Sequence, residues 1–551
     1  MSPAKSYGVV YTPDALSEFV ADILYEEWVF GLKDTPRSFH VLDPACGEAS
    51  LLKALEAKAL KDGLSGNFTG VDVDETAIIQ AARESKNPSM EFYAFDAILP
   101  EDRAGSTMDY WKEKFPVIDM IIANPPWSSE KIYDNKKLNE AGFKLNVGQF
   151  DSYILFVELC LNLLTDQGIC AFILPDSIFS GENKELRKYL AQKTQIKIIA
   201  RLGEKLFPDV NRAVSILVIK KAAPSSDTVT KCFRLATEQR KAFLSGKSSL
   251  LAFYHKEMHK VKQSRFTRNV NFSFDVDTRQ TEEELLYKIK RERIIWSNIF
   301  HFGRGVEISK KGELVFCPQC GMAQTFTGKQ KESGKKKCKW CAEDIELTDL
   351  DVHKIIRSTP VEGYQKIYVG ENVQRYGLRG EKYIKLNVEG INYKEPELYT
   401  SPKILIRKTG LGINACIDDS GAYISQTVYT CFYKQYLDLP LEYYLGILNS
   451  RVMFYYYLKI YGENEWKSHP YITKDILFSL PVKSPDSAKE ALCRQIAELA
   501  RQLNMSYIRD KDLELEAMIM ELYKISREEE RQIKESLNNM PDLGAINHMK
   551  F

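Results

Sequence analysis

The sequence predicts a two-part α/β chain: a doubly wound parallel sheet through residue 223, then a mixed α/β region that carries a paired-cysteine insert and ends in helices. Three observations lead there. Strand-like and helix-like segments alternate through the first 223 residues, the pattern of a parallel sheet covered on both faces. Three of those strands end in aspartate and a fourth ends in Asn124-Pro125-Pro126-Trp127, so polar chemistry collects at one end of the sheet. Beyond residue 300, two Cys-x-x-Cys pairs stand among short runs rich in Tyr, Ile and Val, which favour β structure.

The first strand, Phe39 to Leu42, runs into Asp43-Pro44-Ala45-Cys46-Gly47, and Leu51 to Leu60 follows as a helix. Small residues at this turn, Ala45 and Gly47 among them, let a ligand approach the backbone. Phe68 to Asp72 is a second strand whose terminal acid can accept from ribose hydroxyls, and Glu91 to Phe95 is a third, ending in Asp96. Any one strand-end aspartate could equally cap a helix. The fourth strand is the apolar run Ile118 to Ala123. After it, Pro125 and Pro126 fix φ twice and remove two N–H donors, which leaves carbonyl oxygens beside the Asn124 amide oxygen. Such acceptors suit an exocyclic amino group, and Trp127 adds a flat face for its ring.

Residues 224–298 read as a connector. From 299 to 480 the chain is predicted to be a second domain, opened by the Gly- and basic-rich stretch His301 to Gly312. Within it, Cys317-Pro318-Gln319-Cys320 and Cys338-Lys339-Trp340-Cys341 have the spacing of a zinc ribbon at 313–345, with four thiolates closing a structural Zn2+ site. Redox work by either pair is the alternative. The lysines between the pairs suit either a DNA-backbone finger or a solvated hairpin. Residues 481–551 carry helical spacing and dense charge, which predicts a solvated, partly amphipathic helical tail that packs on the second domain or on a partner.

The chain has 551 residues, 44% of them hydrophobic and 27% charged, with a net charge of +1, so neither disorder nor a global nucleic-acid field is implied. No run approaches the roughly 18 apolar residues of a membrane span, and the N-terminus lacks a signal pattern. The expectation is a soluble, cytoplasmic protein with no membrane partner. Eleven cysteines, scattered apart from one cluster, fit reduced thiols.

Asp43 to Gly47 together with Asn124 to Trp127 resembles the gamma-class S-adenosylmethionine-dependent DNA adenine-N6 methyltransferases of restriction-modification systems. Tyr11-Thr12-Pro13 resembles their cofactor-contacting motif, Asp151 to Phe156 the helix after the catalytic loop, Gly168 to Pro175 the next strand, and Phe207 to Asn211 the loop before the strand Val214 to Lys220. The likeness is strong over residues 7–221 and looser over 299–480. It departs at Trp127, where Tyr or Phe is more usual, and at Asp72, where Glu is common.

The resemblance implies a Rossmann-like class I methyltransferase domain followed by a DNA target-recognition domain. It implies that Tyr11, Thr12 and Pro13 close over the methionine end of S-adenosylmethionine. Asp43 would contact its ammonium, Asp72 its ribose and Asp96 its adenine, with Asn124 also beside the cofactor. Asn124 and the Pro125 carbonyl would hold the target amino group, with Pro126 shaping the loop, and Trp127 and Phe207 would sandwich a flipped adenine. The implied partner is double-stranded DNA, with a separate restriction endonuclease or defence-system subunit as a further one. A protein-glutamine N5 methyltransferase and a catalytically silent DNA-binding subunit are the rival readings.

Overall fold

The computed structural model describes residues 12–32, 38–100, 106–115, 117–127, 133–148, 150–207, 212–291, 293–435, 439–461, 471–485, 489–539 and 547–551. The chain divides into two compact units, Met1–Thr281 and Glu282–Phe551. No helix among the described residues is long and apolar enough to cross a membrane.

The first unit is built on a nine-stranded sheet. Its strands are β1 (His40–Asp43), β2 (Asn67–Asp72), β3 (Met90–Ala94), β4 (Met120–Ala123), β5 (Ile169–Pro175), β6 (Gln195–Gly203), β7 (Val214–Lys220), β8 (Val229–Arg234) and β9 (His259–Lys262), in the order β3-β2-β1-β4-β5-β7-β6-β8-β9. Strands β3 to β5 are parallel, whereas β7 runs antiparallel to both its neighbours. β4 and β5 are buried at every residue, as continuous Ile, Ala, Met and Phe runs must be when helices cover both faces. The chain steps outward from β1 to β3 and then returns to the other side of β1 for β4 and β5. Since such crossovers are right-handed, the helices Ser50–Lys61 and Glu75–Glu84 lie on one face and Thr107–Lys114 and Tyr153–Leu163 on the other. The reversal between β1 and β4 opens a crevice at their carboxyl ends.

The expected connector at 224–298 differs from what is found. β8 and β9 extend the same sheet, and Cys232, Phe233, Tyr254, Val261 and Phe274 enter its core. The later part, with Leu285, Ile289 and Trp296, belongs to the core of the second unit.

The second unit holds an antiparallel four-stranded sheet of Phe300–Arg304, Val428–Tyr433, Lys403–Arg407 and Ala415–Asp418, and a second sheet that includes Tyr364–Tyr368 and Lys382–Lys385. The helices Glu490–Met505, Arg509–Leu522 and Arg527–Asn538 pack on the sheet of this unit, the first of the two expected placements, and are less solvated than expected. Ile496, Leu515, Ile519 and Ile533 are fully enclosed in the same core as Ile404 and Tyr444. Arg375 bonds both oxygens of Asp512, at 2.8 and 2.6 Å, and Arg451 adds a contact at 3.0 Å. Glu516 accepts from the amides of Arg451 and Val452.

Candidate functional site

One cavity lies at the crevice between β1 and β4. Thr12, Asp43, Asp72, Asp96 and the whole Asn124–Trp127 loop line it, so residues spread over 116 positions of the chain meet there. The parallel order β3-β2-β1-β4 explains the gathering, because it aligns four consecutive carboxyl ends.

Each acid is held by backbone amides. Asp43 Oδ1 accepts from Ala45 N at 3.0 Å, and Asp72 accepts from Gly47 N at 2.8 Å and Asp74 N at 2.9 Å. Asp96 accepts from Ile98 N at 2.8 Å and from the Tyr133 hydroxyl at 3.1 Å. Gly47 takes a φ of +50°, which lets its amide reach across to β2. Burial, reinforced by neighbouring Asp72, pushes the Asp43 carboxyl well above the usual range; burial also raises Asp72, against the pull of its amide donors. The second Asp43 oxygen, Oδ2, is buried and has no hydrogen-bond partner among the described residues. A cationic donor is the complement such an atom calls for. The ammonium of S-adenosylmethionine supplies one, so the residues present fit that cofactor.

In the loop, the Asn124 amide donates from Nδ2 to Thr12 Oγ1 at 3.0 Å. Trp127 is anchored through Nε1 to the Ile173 carbonyl at 3.3 Å. Ser152 donates to the Pro126 carbonyl at 2.5 Å and Arg212 to the Trp127 carbonyl at 2.7 Å. The expected sandwich of Trp127 and Phe207 is not preformed. Their rings touch edge to face, with centroids 5.5 Å apart and planes at 88°. A base between them would need parallel faces about 7 Å apart, whereas two rings in contact prefer the T-shape found here. Tyr11 and residues 208–211 lie outside the described residues. Pro13 precedes the helix Asp14–Phe30 and accepts its first two amide bonds.

Tyr133, Phe156 and Glu48 also line the cavity, and Ser152 and Arg212 brace its loop; the motif reading assigned none of them a role. Ser152 and Phe156 lay inside a run already singled out, whereas nothing in the sequence marks Tyr133 or Arg212.

In the second unit, the sulfurs of Cys317, Cys320, Cys338 and Cys341 all lie within 4.8 Å of one another. Cys317 and Cys341 are 3.6 Å apart and Cys320 and Cys338 3.7 Å, close to the roughly 3.8 Å edge of a tetrahedron with 2.3 Å zinc–sulfur bonds. The two knuckles repeat one geometry. Gly321 and Ala342, each following the second cysteine of its pair, take φ of +73° and +61° and donate back to the first cysteine's carbonyl. Buried Gln324 donates to Cys338 Sγ at 2.9 Å, a supporting bond of the kind that orients metal ligands. These residues fit a four-thiolate zinc site. The lysines between the pairs are largely matched by acids: Lys335 and Lys337 face Glu346 and Asp344 across a ribbon, and Lys331 pairs with Asp349.

The sequence model of the N-6 DNA methylase family matches residues 1–284, just over half of the chain, and that of the TaqI-like C-terminal specificity domain matches residues 365–482. The chain belongs to the N-6 DNA methylase family. It is 26% identical over 221 residues to the type II methyltransferase M.AccI of Acinetobacter calcoaceticus, covering 39% of this chain and 37% of that one. It is 22% identical to the EcoEI type I methylase subunit of Escherichia coli, covering 41% of this chain and 45% of that one. The chain thus spans less than half the length of these curated relatives. Among solved structures it is similar to the type IIL restriction-modification enzyme MmeI in complex with DNA, at 12% identity and a TM-score of 0.49 over 93% of this chain and 72% of that one.

Proposed function

We propose that the protein transfers a methyl group from S-adenosylmethionine to N6 of an adenine in duplex DNA, as the modification component of a restriction-modification or defence system. The observation that carries this reading is the single cavity in which strand-end acids suited to a cationic cofactor meet an acceptor loop suited to an amino group. Bound S-adenosylmethionine would supply the electrophilic methyl group. Asp43 would hold its ammonium, Asp72 its ribose hydroxyls and Asp96 its adenine, with Tyr11, Thr12 and Pro13 at the methionine end and Ala45 and Gly47 giving it room. Asn124 and the Pro125 carbonyl would accept the two hydrogens of the target amino group and turn its lone pair out of the ring's conjugation. Positioning then supplies most of the catalysis.

The reacting nitrogen lies inside the duplex, so the base would be flipped out. Trp127, anchored by its indole N–H, would offer the fixed face, and Phe207 would swing away from Trp127 to admit the base. The second unit would read the DNA, with a structural zinc held by Cys317, Cys320, Cys338 and Cys341. A separate restriction endonuclease or defence subunit is the further partner proposed.

The test is methyl transfer from labelled S-adenosylmethionine to unmodified genomic DNA, followed by nucleoside mass spectrometry. N6-methyladenine supports the reading, provided that Asn124→Ala abolishes it while cofactor binding persists. Label found only on protein glutamine, or DNA binding with no transfer, refutes it.

A further inference from the structure

The prolines at 125 and 126 leave the acceptor loop without donors of its own there, so outside groups must set the directions of its carbonyls. Two neighbouring elements do so. Ser152, buried at the N-terminus of the helix Tyr153–Leu163, makes no capping bond to that helix, although capping is the ordinary use of a serine there. Its hydroxyl donates to the Pro126 carbonyl instead. Arg212, two residues before β7, donates to the next carbonyl, that of Trp127. Among the described residues nothing donates to the Pro125 carbonyl.

We propose that Ser152 and Arg212 are positioning residues for methyl transfer, holding the carbonyls of Pro126 and Trp127 so that the Pro125 carbonyl faces the target amino group. The inference rests on the function proposed above. Peptide planarity and the pyrrolidine ring explain how a bond to one carbonyl controls another. The Pro125 carbonyl lies in the plane joining residues 125 and 126, and the Pro126 carbonyl in the next plane. With φ of Pro126 locked by its ring, its ψ is the single soft rotation between the two planes. Holding the second plane from outside therefore sets the direction of the first. Neither side chain needs to touch the base, and the Pro125 carbonyl stays open to it.

The test compares Ser152→Ala, Ser152→Thr and Arg212→Gln with wild type in kcat, in KM for DNA, in equilibrium binding of S-adenosylmethionine and in melting temperature. The expected result for Ser152→Ala is a kcat lower by on the order of tenfold, with cofactor affinity unchanged and a melting temperature lowered by no more than a few degrees. Ser152→Thr, which keeps the hydroxyl, should recover most of the rate, and Arg212→Gln should lower kcat in the same way. A wild-type rate in Ser152→Ala overturns the proposal. So does a loss that threonine does not restore and that follows a fall in melting temperature, since that is packing alone. If wild type methylates no DNA, the proposed function falls and this inference with it; if wild type is active and Ser152→Ala equals it, this inference alone falls.

Discussion

Replacing Asp43 with asparagine should raise the stability of the first unit and weaken its cofactor binding, two effects of opposite sign from one atom. The carboxyl is 1% exposed, one oxygen accepts from Ala45 N, and the other has no partner among the described residues. Burial, with Asp72 beside it, holds its pKa well above the ordinary value, so folding disfavours its charged form. The sign follows from proton binding. Above the unfolded pKa of about 3.9 the folded state keeps its proton longer than the unfolded one, so wild-type stability falls as pH rises toward the folded pKa. Each unit of upward shift costs about 1.4 kcal/mol at pH above the folded value, and each kcal/mol moves the melting temperature by about 2–4 °C in a unit of this size.

Asp43→Asn removes that penalty, so the cofactor-free variant should melt higher than wild type at pH 7 and converge with it below about pH 4. A hydrogen bond to a charged partner contributes about 1.5–3 kcal/mol, so S-adenosylmethionine should bind the variant roughly ten- to a hundredfold more weakly. A variant that binds the cofactor as tightly as wild type and melts no higher would refute the assignment of this oxygen.

Wild-type protein purified without chelator should contain about one zinc per chain by elemental analysis, and Cys317→Ser should lose it and destabilise the second unit; zinc-free wild type removes the metal site. Asp512→Ala leaves Arg375 without its buried counter-charge and Arg451 with Glu516 alone, and should cost about 3–5 kcal/mol in urea unfolding of the second unit; a loss below 1 kcal/mol would show that the network is not structural. Burial opposes ionisation of Asp512, but both arginines hold its pKa below the ordinary value, so this contribution should be lost as pH falls below about 3.9. Phe207→Ala should weaken capture of a flipped adenine by about ten- to a hundredfold and brighten 2-aminopurine at the target; capture equal to or tighter than wild type would mean that Phe207 only plugs the cavity.

What could be read from the sequence followed from local pattern. Doubly covered strands must be continuously apolar and their polar residues must fall at the ends, so Asp43, Asp72, Asp96 and Asn124 could be placed in one crevice before any coordinates. Part of what could not be read has one physical cause, the burial of charge in pairs. β8 carries Lys231 and Arg234, and a sequence reading takes such residues as solvent-facing. Lys231 is in fact paired with buried Glu27 and Arg234 with Asp277, so polar-looking segments serve as sheet. The C-terminal helices bury more charge than their sequence suggests for the same reason, through Asp512 and Glu516.

The cavity adds a second limit. Residue types nominated the loop and its aromatic residue, yet their geometry depends on partners far along the chain: Thr12 for Asn124, Ser152 for Pro126 and Arg212 for Trp127, at separations of 112, 26 and 85 residues. Spacing patterns carry no information about such bonds, because the elements between can change length without moving either end. The Trp127–Phe207 contact makes the point most directly. The two rings do come into contact, but at 88°, so the parallel faces that a stacking site needs are not preformed. In the proposed reading Phe207 is the ring that would move, because the Trp127 indole N–H is bonded to β5 whereas Phe207 has no polar atom to anchor it.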